Sequence, residues 1–184
     1  MKTPLLVAIF ATVSVLTAQT DWPQYQGGPA HAGYLPVTLN PSTFVHRYDR
    51  LVATTTNYML EPVTVADGKV FVSSWDKVVR ALDAATGAQL WQVAFPTANS
   101  VNPPTYYQGR VYVQTGNHAS DTYLRCFDAN TGALVFQSNH AAQWERYYAP
   151  TARDGKVWIN GGSYGGMYSF DAVTGQQRFF VSLP

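Results

Sequence analysis

Charge is scarce in this 184-residue chain, where Asp, Glu, Lys and Arg make up 12% of the residues, about half the share of an average soluble domain. Disordered and coiled-coil chains are charge-rich and are thereby excluded. Neither sign dominates: Lys and Arg number 12 against 11 Asp and Glu, and loss of Lys2 leaves the two equal. A neutral surface has little grip on a phosphate backbone, so nucleic acid is not an expected partner. Cysteine is almost absent. Cys126 stands alone, which rules out an internal disulfide and leaves stability to packing. No Asn-x-Ser/Thr acceptor occurs, because Asn40-Pro41-Ser42 has proline in the middle. The longest apolar run, Pro4 to Leu16, falls short of the ~18 to 20 residues that span a bilayer, so no membrane span is expected.

That run follows Lys2 and leads into Thr17, Ala18 and Gln19. A positive start, a short apolar stretch and a small-residue cleavage site together make a signal peptide. Residues 1–18 are therefore expected to be removed and the mature protein exported, to the periplasm or outside the cell. No cysteine lies near the cleavage region, which excludes lipid attachment there.

What the chain has in quantity is 14 Gly, 11 Pro, 12 Tyr, 9 Phe and 5 Trp, the mixture of turn formers and aromatics of an all-β protein. The chain also repeats. Pro62-Val63-Thr64-Val65-Ala66-Asp67-Gly68-Lys69-Val70-Phe71-Val72 is echoed by residues 103–113 and again by residues 150–159, each with a tight Asp-Gly or Gln-Gly pair between two extended runs. Each copy is followed by a second match: Ala81-Leu82-Asp83-Ala84-Ala85-Thr86-Gly87-Ala88-Gln89-Leu90-Trp91, then residues 126–136, then residues 169–179. Gly87, Gly132 and Gly175 stand 45 and 43 residues apart, the period of propeller blades. One unit reads as four antiparallel strands: a hairpin on Asp67-Gly68, where glycine accepts positive φ, a third strand into the Asp83 to Gly87 turn, and a fourth carrying Trp91. In the turn the Asp carboxylate and Thr hydroxyl bond to backbone and Gly supplies the left-handed residue.

The segment Ala81 to Trp91, A-x-D-x-x-T-G-x-x-x-W, resembles the tryptophan-docking repeat of quinoprotein-like (pyrroloquinoline-quinone-repeat) β-propellers. Asp21-Trp22-Pro23-Gln24-Tyr25-Gln26-Gly27-Gly28 is similar to the opening segment of the same superfamily. The resemblance covers residues 21–184 and implies a partial propeller of about three four-stranded antiparallel blades. It sets an opener at 19–60 and blades at about 61–98, 99–140 and 141–184. The turn and docking residues are then Asp83, Thr86, Gly87 and Trp91; Asp128, Thr131, Gly132 and Phe136; and Asp171, Thr174, Gly175 and Phe179. The resemblance implies that Trp91 packs across to the neighbouring blade, with Phe136 and Phe179 in equivalent places but without an indole donor. Rings close with roughly 4 to 8 blades, so three imply a portion of a longer propeller, with remaining blades from the rest of the chain or from an oligomer, or an open arc.

Residues that could carry chemistry are few. Cys126 aligns with Ala81 and Ser169, which marks a small buried strand position rather than a nucleophile. His31, His46, His118 and His140 are scattered, with no metal-ligand spacing. No G-x-S-x-G elbow is present, and Gly161 to Gly166 lies between strands, not before a helix. The three aspartates recur in every unit, and a catalytic carboxylate is needed once. No catalytic, cofactor-binding or metal residue is therefore assigned, and no cofactor is expected. The expected function is a non-catalytic scaffold that binds a protein, cell-envelope partner or ligand, with Trp144, Arg146, Tyr147 and Tyr148 as a candidate interaction surface. The resemblance also implies an alternative, part of a quinone-dependent dehydrogenase using PQQ and calcium, although the vicinal cysteine pair and C-x-x-C-H haem attachment of such enzymes are missing. Carbohydrate or cell-wall binding is a second alternative, suggested by exposed-type Tyr, Trp, Asn and Gln on a weakly charged chain.

Overall fold

The computed structural model describes residues 21–53, 61–116, 122–142, 149–162 and 165–183. These form thirteen strands and two single 3-10 turns, Tyr25–Gly27 and Pro41–Thr43. The first blade is β1 (Thr64–Ala66), β2 (Lys69–Ser74), β3 (Val78–Asp83) and β4 (Gln89–Ala94), paired antiparallel in that order. The second contains β5 (Ser100–Val101), β6 (Thr105–Tyr107), β7 (Arg110–Gly116), β8 (Tyr123–Asp128) and β9 (Leu134–Asn139). The third is β10 (Thr151–Arg153), β11 (Lys156–Asn160), β12 (Gly166–Asp171) and β13 (Gln177–Ser182). The protein is thus all-β, a partial propeller of three four-stranded blades. The second departs slightly, since both β5 and β6 pair with β7. Its inner strand is broken at Pro103 and Pro104, which have no N–H to give to the ladder.

The repeated hairpins have repeated geometry. Asp67, Gln108 and Asp154 all take positive φ, as do the following glycines, the backbone of a two-residue type I′ turn whose twist matches the flanking strands. Each blade also carries a register shift at one place, between Ala81 and Leu82, Cys126 and Phe127, and Ser169 and Phe170. These bulges lie just ahead of the Asp-x-x-Thr-Gly turns.

The core lies between blades. Phe71, Val79, Ala81 and Trp91 of the first blade pack on Val111, Val113, Phe127 and Ala129 of the second. Tyr112, Leu124 and Cys126 of the second pack in turn on Val157, Ile159, Phe170 and Ala172 of the third. Each blade therefore has a forward face that meets its successor and a rear face that meets its predecessor. No helix among the described residues is long and apolar enough to cross a membrane.

Candidate functional site

The aspartate of each long turn works as a local scaffold. Asp83 Oδ1 accepts from the backbone N–H of Ala85 and Thr86 and from the Thr86 hydroxyl. Asp128 does the same with Asn130 and Thr131, and Asp171 with Val173 and Thr174. The Thr oxygen then accepts the N–H two residues on, of Ala88, Ala133 and Gln176 respectively. Donors aimed at a carboxylate favour its charged form. The Thr86 hydroxyl and N–H hold the Asp83 carboxyl below the usual range, the Thr131 pair does the same for Asp128, and the backbone N–H groups of Thr174 and Val173, with Arg178, do so for Asp171.

These turns are also sockets. Gly132 has φ +72°, and a Cβ there would lie 2.8 Å from the Trp91 indole. Trp91 Nε1 donates to Ala129 O at 3.0 Å, so the ring crosses to the next blade and ties to its turn. Phe136 lies in the same way against Gly175, where a Cβ would meet its ring. A phenyl ring cannot donate, and Ala172 O, the counterpart of Ala129 O, accepts instead from Tyr112 OH at 2.8 Å and Arg110 Nη1 at 3.0 Å. Phe179 has no turn beneath it among the described residues and is 41% exposed, against 8% for Trp91.

The first socket is filled by a residue outside the repeat. Tyr48 lies against Gly87, where a Cβ would come within 2.6 Å of its ring, and its hydroxyl donates to Ala84 O at 3.2 Å. The opener therefore supplies the docking aromatic that a preceding blade would have supplied. Sequence reasoning missed it, although a signal existed: Tyr48 stands 39 residues before Gly87, Trp91 stands 41 before Gly132 and Phe136 stands 39 before Gly175.

The opener also reaches all three inner strands, one residue to a blade. Trp22 exchanges two backbone hydrogen bonds with Val65, Pro23 O accepts from Tyr106 N, and the buried Gln24 side chain pairs both ways with Ala152. Neighbouring inner strands are stitched by hydroxyls: Thr64 Oγ1 donates to Pro104 O, and Thr105 Oγ1 to Pro150 O. Thr151, next in the series, lies 2.8 Å from His31 Nε2. His31 Nδ1 must donate to Tyr25 O, so in the neutral ring Nε2 accepts from the Thr151 hydroxyl.

Burial pushes the Cys126 thiol up to about 11, which makes it a poor thiolate source. Among the described residues no group of three or more His, Cys, Asp or Glu side chains could hold a metal ion; those residues do not fit a calcium ligand set. A cavity of about 470 Å³ opens beside Tyr25, His31, Trp158, Met167 and Val181. It lies over the forward face of the third blade, the face that in the first two blades is covered by a neighbour, so its shape is that of an unpaired blade face. Trp144, Arg146, Tyr147 and Tyr148 lie outside the described residues, as do His118, Asp121 and residues 1–18.

The family model described as outer membrane protein assembly factor BamB matches residues 53–179. The dehydrogenase subunit of the quinone alcohol dehydrogenase of Gluconobacter oxydans (strain 621H) is 32% identical over 146 residues, 65% of this chain and 19% of that protein. The crystal structure of BamB from Moraxella catarrhalis aligns over 63% of this chain and 34% of its own with 26% identity and a TM-score of 0.51. The quinohemoprotein alcohol dehydrogenase of Comamonas testosteroni aligns over 89% of this chain and 27% of its own with 24% identity and a TM-score of 0.62, which shows the fold. The chain spans about a third or less of the length of the proteins it matches.

Proposed function

Because the chain belongs to the family of outer membrane protein assembly factor BamB, within the quinoprotein-like β-propellers, we propose that it is an exported, non-catalytic propeller module. It binds a protein partner in the cell envelope, after removal of residues 1–18. The observation that carries this reading is how the repeated side chains are used. Asp83, Asp128 and Asp171 are saturated by their own turns, Cys126 is buried in an inter-blade core, and Trp91 is committed to docking. The chemistry-bearing groups of the described residues thus build surfaces and leave loops and edges to do the binding.

A second reading, part of a quinone-dependent dehydrogenase, is favoured by the 32% identity with the Gluconobacter oxydans subunit. Fold analogy alone does not carry an activity. One assay separates the two: incubation of the protein with PQQ and Ca²⁺, then dye reduction with alcohols and sugars as donors. The module reading expects no reduction from protein whose circular dichroism is that of a folded β-sheet. Reduction that depends on both PQQ and an added alcohol or sugar would overturn it.

A further inference from the structure

Each forward face carries a pair of aromatics at one register position, flanking a small residue on the strand between them. The pairs are Phe71 and Trp91 about Ala81, Tyr112 and Phe136 about Cys126, and Trp158 and Phe179 about Ser169. In every pair one ring can donate a hydrogen bond and the other is phenylalanine. In the first the donor is on the outer strand, where Trp91 reaches Ala129 O. In the second it has moved to the adjoining position, where Tyr112 reaches Ala172 O. The donor changes strand, but the acceptor is the same carbonyl of the next blade's turn, and that carbonyl is buried where it needs a partner.

The third pair has its donor at Trp158 and its phenylalanine at Phe179. The Trp158 indole N–H has no acceptor among the described residues, and the buried hydroxyl of Ser169 between the two rings is without a partner among them as well. Beside them Met167 is 41% and Val181 49% exposed. We infer that this face is a docking site for a further β-blade that presents an Asp-x-x-Thr-Gly turn, with the carbonyl after its aspartate accepting from Trp158 and its glycine lying beneath Phe179. The occupant follows from continuity with the two interfaces already built in this chain, which pair this face type with that turn. It is not a second copy of the chain, because the turn that a second copy would offer, Asp83 to Gly87, is already capped by Tyr48.

The test gives the face a blade. Ser182 is the register counterpart of Asn139, so appending a copy of residues 140–183 after Ser182, with Trp158→Phe in the copy alone, places an Asp-Ala-Val-Thr-Gly turn at the natural spacing. Solvent exchange of the Trp158 indole proton is followed by NMR and assigned by its loss in Trp158→Phe. The expected result is exchange at least about tenfold slower in the extended chain than in the original. Trp158→Phe should lower the folding equilibrium constant of the extended chain roughly five- to tenfold, the effect of one lost hydrogen bond, and leave that of the original chain within about twofold. Unchanged exchange, an equal effect of the substitution on both chains, or an appended segment that stays unfolded would each overturn the proposal. So would Trp158-dependent dimerisation of the original chain in sedimentation, which would make a second copy the occupant.

Discussion

Trp91→Phe removes one N–H and keeps most of a buried ring. Ala129 is fully buried, and Trp91 Nε1 donates to its carbonyl at 3.0 Å, so the substitution strips that oxygen of its aromatic donor where bulk water does not reach. The cost is about 1–3 kcal/mol, or a fall in Tm of roughly 2–10 °C for a chain of this size. The second blade shows how the loss can be offset, because there the donor is Tyr112, the register counterpart of Phe71. Phe71 is completely buried on the same face as Trp91, across Ala81. Alone, Phe71→Tyr adds a hydroxyl that must compete with the indole for one acceptor, at a cost of ~1–2 kcal/mol. Together, the two substitutions recreate the Tyr and Phe arrangement of the second blade, and the double variant should be more stable than the sum of the singles by at least about 1 kcal/mol. Urea unfolding of the four proteins, followed by circular dichroism, measures this coupling. A coupling energy within ~0.5 kcal/mol of zero, the range of independent sites, would refute the idea that the two positions share a donor's duty.

Gly132→Ala should cost ~2–4 kcal/mol, from left-handed backbone strain plus a Cβ pressed on the Trp91 indole, whereas Gly109→Ala, with positive φ but open space around it, should cost only about 1 kcal/mol; equal losses in thermal melts would contradict the socket. Asp83, Asp128 and Asp171 have carboxyls held below their ordinary value, so their contribution is complete above the unfolded pKa of about 3.9 and is lost as pH falls through the lower folded values. The urea midpoint should therefore drop below about pH 4, and drop less steeply when all three are changed to Asn; parallel pH profiles would argue against the turns as its source. Cys126, with its thiol pushed up to about 11, should react with an aromatic disulfide reagent at pH 8 roughly 100-fold more slowly than a free thiol and reach the ordinary rate in urea, and rapid reaction of the folded protein would place it nearer the surface than the inter-blade core.

The repeat was open to sequence reasoning because its turns are dictated locally. Asp-Gly before a β-branched run and Asp-x-x-Thr-Gly before an aromatic each satisfy their own backbone, so residues a few positions apart suffice to specify them. The interfaces were less open. That Phe136 docks without a donor could be read from the pattern, but that Tyr112 supplies the missing hydrogen bond depends on which side chains meet across strands and blades. Tyr48 was hidden for another reason: no Asp-x-x-Thr-Gly turn precedes it, so only its distance to Gly87 connects it with Trp91 and Phe136. His31 read as one scattered histidine, and its meeting with Thr151 joins residues 120 positions apart, a separation no local motif records. Trp22, Pro23 and Gln24 matched an opening segment, yet nothing in their order says that each addresses a different blade.

That opener gives the chain a topological clasp with kinetic consequences. Gln24 pairs with Ala152, 128 residues away, while each hairpin closes over only a few residues. Contacts of such separation carry the largest loop-closure entropy and slow folding in proportion to how many of them the rate-limiting step must include. Blades can therefore form early and locally as synthesis proceeds, but the clasp cannot close until the third inner strand has emerged. Until then the Gln24 amide and the Ala152 backbone remain open to water and to wrong partners, so shortening or deleting the opener should change the time at which the arc locks more than the speed at which its hairpins appear.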